Sequence, residues 1–284
     1  MLVLDGKGGR GESSLQRLAA AILASGRTCR ALSVRDLGGV RDATVVFPGS
    51  TALLRLLRTR LAGNRIVLDV QSETGCLRRP GSARLIDAVI FRNDRHRRES
   101  DRPQWKSCVI YEPADPGLEP HSVPAGAFRV GCFASDAASA AFREVRGVAF
   151  IATDPARHAT QFNCHLALPG SPFDKAGRRG CAVANAAACD AVLVTPRSSA
   201  ALELLGEEYP FYCATDPAAI QTALGRARDL QGTSAWDAAL AAMRRARETT
   251  AERAVVAGHL RQFLELDLDR VRDGARDGVL PVAG

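Results

Sequence analysis

Ala191-Val192-Leu193-Val194-Thr195-Pro196, with Lys175 and Arg178 ahead of it and Glu203-Leu204-Leu205-Gly206 and Tyr209-Pro210-Phe211 behind it, decides how this chain is read. The order spells a basic turn, an Ala-rich helix through Asn185, a buried strand, and a short helix with an acid near its end. In an open α/β sheet that order brings cationic side chains and two helix N-termini to the carboxyl edge of the strands, where phosphorylated ligands collect. A nucleotide or nucleotide-sugar site is therefore expected in the second half.

Outward from that stretch, the same alternation fills the chain. In the first half the apolar runs Leu2 to Leu4, Thr28 to Val34, Ala43 to Phe47, Ile66 to Val70, Ala88 to Phe91 and Cys108 to Tyr111 alternate with helical patterns from Ser13 to Ala24 and from Ala52 to Leu61. Short strands that are apolar throughout, separated by helices, belong to a parallel sheet covered on both faces. Pro113, Pro116, Pro120 and Pro124, with Gly117 and Gly126, can continue neither a helix nor a central strand, so residues 113–127 are expected to be an interdomain linker. The pattern restarts at Arg129 to Phe133, Val148 to Ala152, Phe162 to Leu168 and Ala191 to Val194. Two doubly wound α/β domains are expected, residues 1–112 and 128–268, followed by a charged, Gly-rich tail over 269–284.

Helix caps are expected at Thr195 before Pro196, at Asp216 before Pro217, and at Ser234, three residues ahead of Asp237. Trp236, Leu240 and Met243, then Val256, Leu260, Phe263 and Leu264, recur at helical spacing and should pack one face onto a domain.

With 284 residues, 46% of them apolar, the chain can bury two modest cores. A formal net charge of +7 fits an anionic substrate, an acidic membrane surface or nucleic acid, and does not choose among them. The eight cysteines are scattered, without a CxxC pair, and read as small buried hydrophobes of a reducing compartment. Met1-Leu2-Val3-Leu4 runs straight into Asp5-Gly6-Lys7, unlike a signal peptide, and nothing approaches the roughly 18 consecutive apolar residues of a membrane span. A cytoplasmic location is expected.

Gly6-Lys7-Gly8-Gly9-Arg10-Gly11 follows a strand and opens a helix, so its backbone can approach a phosphate or sugar closely. Read as G-x-G-x-x-G, with Asp36 as the ribose acid, it suggests an NAD(P)-dependent oxidoreductase, but Arg35 flanks that acid and no hydride-transfer site is recognisable. Read as a deviant P-loop, it carries Glu12 where the phosphate-binding lysine belongs, and a carboxylate there would repel a triphosphate. A third reading makes Gly8, Gly9, Arg10 and Gly11 a glycine-rich loop facing a ligand cleft; a plain connection without a ligand is the fourth.

These residues resemble a known family. Ser171 to Phe211 looks like the donor-binding domain of GT-B-fold glycosyltransferases, the bacterial set related to family 4 that serves surface polysaccharide synthesis. The first half is similar at Asp5 to Gly9, Asp42 to Pro48, Arg65 to Gln71 and Ile110 to Pro113. The resemblance implies two Rossmann-like domains facing a cleft, a nucleotide-sugar donor on the second, a glycan or lipid-linked acceptor on the first, and transfer with no metal and no cofactor. It places Lys175, with Arg178 or Arg179, on the donor diphosphate, where cations would neutralise the leaving group. Ser198 and Ser199 match positions reaching donor phosphate, and Glu203 the acid accepting from the ribose hydroxyls. The chain departs from the family in lacking the acid-x7-acid pattern on the donor helix, where Phe173 to Gly177 stand instead. That departure keeps open a non-catalytic nucleotide- or sugar-binding protein on the same scaffold.

An inverting transfer needs a base on the first domain. Asp69, ending a buried strand at the carboxyl edge, is the candidate, with a strand-end turn cap as its alternative. The densest basic cluster, Arg92 to Arg98 with Arg102, could meet anionic lipid and bring peripheral contact at the inner membrane face. Interrupting acids and the lack of interleaved aromatics favour a solvated helix and argue against nucleic acid. The five histidines make no metal spacing, and no G-x-S-x-G elbow occurs.

Overall fold

The computed structural model describes residues 2–5, 29–32, 37, 39–48, 53–70, 82–100, 106–111, 114, 117–133, 140, 142–151, 155–168, 179–251 and 258. The chain divides into two compact units: Met1–Phe91, Ser100–Ile110 and Val256–Gly284 form the first, and Arg92–Glu99 and Tyr111–Val255 the second.

In the first unit, β1 (Leu2–Asp5), β2 (Cys29–Leu32), β3 (Thr44–Pro48), β4 (Arg65–Val70), β5 (Ala88–Phe91) and β6 (Lys106–Val109) make one parallel sheet in the order β2-β1-β3-β4-β5-β6. Ile66 to Val70 and all of β5 are buried, as apolar strands covered on both faces must be. Helix α1 (Leu53–Leu61) packs on β4 through Leu56. Its Arg60 reaches Asp87 at 2.6 Å, and Asp87 also accepts from Ile66 N at 2.7 Å, so this buried carboxylate is held by a cation and a backbone donor. Buried Asn64 likewise ties Val40 O (2.9 Å) to Ala43 N (3.0 Å).

The second unit repeats the plan. Strands β7 (Val130–Phe133), β8 (Val148–Ile151), β9 (Cys164–Leu166), β10 (Val192–Pro196) and β11 (Tyr212–Cys213) form a parallel sheet ordered β11-β10-β9-β7-β8. In both sheets the first strand lies between the second and the third, so the chain reverses its direction of travel there: between β1 and β3, and between β7 and β9. Around the second sheet stand α2 (Asp94–Glu99), α3 (Pro155–Ala159), α4 (Arg179–Ala188), α5 (Ser199–Leu205), α6 (Pro217–Asp229) and α7 (Ser234–Thr250). This is the α/β, Rossmann-like GT-B architecture expected from the sequence.

Alanines on α7 (Ala239, Ala242, Ala246) meet Val183, Ala186 and Ala187 of α4 in one core with Phe211, Trp236 and Met243. Asp216 caps α6 as expected, accepting from Ala219 N at 2.8 Å. Two other caps differ from expectation. Thr195 and Pro196 stay in β10, and the cap of α5 is Ser198. Ser234 is the first residue of α7, whose N-cap is Thr233, with its hydroxyl turned back to Leu230 O. The later apolar stripe, Val256 to Leu264, lies outside the described residues apart from Gly258.

Residues 117–127 are tied to the second unit by His121 N to Cys189 O and Ser122 N to Thr160 O, both 2.8 Å. Cysteines 108, 132, 164 and 189 are buried, and burial pushes the Cys132 and Cys189 thiols up to about 12, which leaves them inert at neutral pH.

Candidate functional site

The second unit gathers charged groups around α5. Its first turn follows β10 directly, because Pro196 and Arg197 end the strand and Ser198 Oγ accepts from Ala201 N at 3.2 Å. Gly206, at φ 87°, closes the helix with its N–H on Leu202 O at 3.0 Å.

Glu203, on this helix, satisfies the start of α2. A helix begins with N–H groups that lack intrahelical partners, and here those of Asp94, Arg95 and His96 all have side-chain acceptors, while Arg97 N makes the first bond of the helix itself. Asp94 N donates to Glu203 Oε1 (2.9 Å) and Arg95 N to Oε2 (2.6 Å). His96 N donates to Asn93 Oδ1 (2.7 Å) and Arg97 N to Asn93 O (3.2 Å). The Tyr111 hydroxyl donates to Glu203 Oε1 as well. A carboxylate facing a helix N-terminus is favoured by the helix dipole. Burial, and then the bond to Glu203, push the Tyr111 phenol well above its usual range, so it stays a donor.

The surrounding charges pair off. Arg95 bridges Glu207 (2.9 Å) and Glu99 (3.1 Å), and Glu207 also holds Arg197 (3.1 Å), whose guanidinium lies 5.0 Å over the Tyr212 ring. Ser199 Oγ donates to Glu99 at 3.4 Å. Arg97 and Arg98 each reach Asp94 at 2.5 Å. Partial burial works against ionisation of Asp94, but the two arginines outweigh it and hold its carboxyl below the usual value. The basic run is thus a short helix, as expected, and its arginines are matched by acids.

Of the sequence-derived candidates, the structure brings Ser198, Ser199 and Glu203 together on α5, all half-buried. Arg179 opens α4. Lys175 and Arg178, between β9 and α4, lie outside the described residues, as do Gly8, Gly9, Arg10 and Gly11 after β1. Asp69 sits next to the end of β4 in the first unit and is fully buried. Sequence reasoning missed Tyr111, Arg197, Glu207 and the α2 amides. Their only sequence signals were Asn93-Asp94 opening a charged helix and the i, i+4 spacing of Arg95 and Glu99, neither of which points to residue 203. Among the described residues no three His, Cys, Asp or Glu side chains gather so as to hold a metal ion, and no helix is long and apolar enough to cross a membrane.

Comparison with solved structures finds the same fold in glycosyltransferases. Anabaena Alr3699/HepE, solved with UDP and glucose, superposes with a TM-score of 0.59 at 12% identity over 93% of this chain and 98% of that one. A glycosyltransferase from Rickettsia africae ESF-5 gives 0.54 at 9% identity over 91% and 83%. The pneumococcal O-GlcNAc transferase GtfA, solved with UDP and GlcNAc, gives 0.53 at 10% identity over 82% of this chain and 58% of its own. No protein-family model and no curated protein matches the sequence.

Proposed function

We propose that this chain is a metal-independent glycosyltransferase that moves a sugar from a nucleotide-sugar donor, held by the second unit, to a glycan or lipid-linked acceptor on the first. In this reading it works in the cytoplasm, peripheral to the inner membrane face. The observation that carries the proposal is the likeness over nearly the whole of both chains to HepE, a protein solved with UDP and glucose.

The chemistry proposed for each residue follows from its type and place. Lys175, with Arg178 and Arg179, precedes or opens α4 beyond β9, one of the two strands at the switch point of the second sheet. Cations there would stabilise the charge that builds on a departing diphosphate, as a metal does elsewhere. Ser198 and Ser199 offer hydroxyl and amide donors at the end of β10. Glu203 would accept from the ribose, sharing its oxygens with the α2 amides and Tyr111. Asp69 is the proposed base, and Gly8 to Gly11 the loop meeting the substrate.

A second reading, a non-catalytic nucleotide- or sugar-binding protein, is favoured by two observations: Asp69 is fully buried, and Glu203 already accepts three hydrogen bonds. An oxidoreductase using NAD(P) is third. Thermal midpoints with nucleoside diphosphates, UDP-, GDP-, ADP- and TDP-sugars and NAD(P) separate the three. A ligand present at 100 times its dissociation constant adds about 2.7 kcal/mol. The expected result is a shift with one nucleoside diphosphate and its sugar, lost in Lys175→Ala, with release of the diphosphate on incubation. A shift without turnover supports the second reading, a shift with NAD(P) alone supports the third, and no shift with any ligand refutes the proposal.

A further inference from the structure

Helix α1 turns the wrong face outward. Leu54, Leu57 and Leu61 recur at i, i+3 and i+7 and are 59%, 40% and 79% exposed, while Leu56 and Thr59 face the sheet. An ordinary surface helix points such a stripe at the core. Here the buried side is already filled by Leu56 and flanked by the Arg60–Asp87 pair, so the leucine stripe is left for something else.

Its charge surroundings say what. Residues 51–68 hold Arg55, Arg58, Arg60 and Arg65 and no acid. Arg58 is exposed beside the stripe, one turn from Leu54 and Leu61, and exposed Arg84 stands on the 3₁₀ turn Ser82–Leu85 that packs against α1. A second copy of the chain meeting this face by two-fold symmetry would set arginines against the same arginines. An anionic bilayer takes both halves of the pattern, with leucines in the acyl boundary and guanidinium groups among lipid phosphates. The Arg92–Arg98 run is a poorer seat, because Arg95, Arg97 and Arg98 are paired with Glu207, Glu99 and Asp94.

We infer that α1 seats the first unit on an anionic lipid surface through Leu54, Leu57, Leu61 and Arg58. The inference names the seat of the membrane contact and rests on no donor-binding residue, so it stands or falls apart from the transfer reading.

The test is sedimentation of the full chain with vesicles of phosphatidylcholine alone or mixed with phosphatidylglycerol. Wild type is expected to bind the mixed vesicles, and less so at high salt. Leu54→Ser/Leu57→Ser/Leu61→Ser should weaken binding on the order of a hundredfold, and Arg58→Glu by roughly tenfold. The leucines are exposed, so the triple variant should keep the wild-type thermal midpoint, and nucleotide-induced shifts should be the same in both. Equal binding by wild type and the triple variant overturns the inference, as does loss of binding in Arg98→Glu but not in the triple variant. Failure of wild type to bind, together with a concentration-dependent dimer that the triple variant abolishes, would assign the face to a second copy and overturn it too.

Discussion

Glu203→Gln tests whether one carboxylate ties α2 to α5. The amide offers a single acceptor oxygen in place of two. If that oxygen takes the Oε1 position, Asp94 N and Tyr111 keep a partner, but both bonds become neutral, and Arg95 N faces an NH₂ group. A charge-assisted bond contributes about 1.5–3 kcal/mol and a neutral one about 0.5–1.5. At the low end of each range, two bonds weakened by about 1 kcal/mol and one lost at about 1.5 would cost about 3.5 kcal/mol if buried, and about 2 after allowance for the half-exposed site. Because the damage is local, the amides of Asp94 and Arg95 are the right probes. Hydrogen exchange there should speed by roughly 30-fold in Glu203→Gln, the equivalent of about 2 kcal/mol. Tyr111→Phe should cost about 1 kcal/mol, and the double variant should fall short of additivity by at least about 0.5 kcal/mol, since both changes act on one oxygen. Exchange unchanged in Glu203→Gln, or strict additivity with Tyr111→Phe, would refute the account of α2 as a helix capped by Glu203.

Two further predictions concern the second unit. His165 is fully enclosed between Phe133 and Ala159, and burial above all holds its imidazole down to about 4, against 6.5 when free. Below pH 6.5 the unfolded chain takes up a proton that the folded chain refuses. Stability is therefore whole above pH 6.5 and falls toward pH 4, by about 3 kcal/mol at the lower end; in urea titrations His165→Gln should remove that part of the slope, and an unchanged slope would sink the assignment. A Cβ on Gly131 would lie 2.4 Å from Cδ2 of the buried Phe162 ring. Gly131→Ala should cost about 2–3 kcal/mol in thermal unfolding, and Phe162→Leu in the same background should recover part of it by making room; a Gly131→Ala midpoint equal to wild type would contradict that close approach.

Much of the fold was legible because its signals are local. Ile66 to Leu68 and Val192 to Val194 are apolar at every position, which only a strand covered on both faces tolerates, and Asp216-Pro217 marks a helix start by chemistry confined to four residues. The donor-side candidates Ser198, Ser199 and Glu203 were named through the resemblance to GT-B glycosyltransferases, which matches residues close together in the chain. Their partners could not. Tyr111 and the amides of Asp94 and Arg95 meet Glu203 across 92, 109 and 108 residues of chain, and no spacing rule reaches that far.

The sequence by itself determined that strands and helices alternate, that strands would be buried on both faces, and that Cys108, Cys132, Cys164 and Cys189 would serve as hydrophobes. Tertiary structure decided the strand orders, with the first strand of each sheet between the second and third. It also decided that the densest basic run would be matched by Asp94, Glu99 and Glu207 and would not stand free. The segment Leu53-Leu54-Arg55-Leu56-Leu57-Arg58-Thr59-Arg60-Leu61 makes the reason plain. It carries leucines around much of its circumference, so periodicity alone leaves its inward side open. Which side went in was settled by β4 and by the reach of Arg60 to Asp87, 27 residues away, because a buried carboxylate must have its cation.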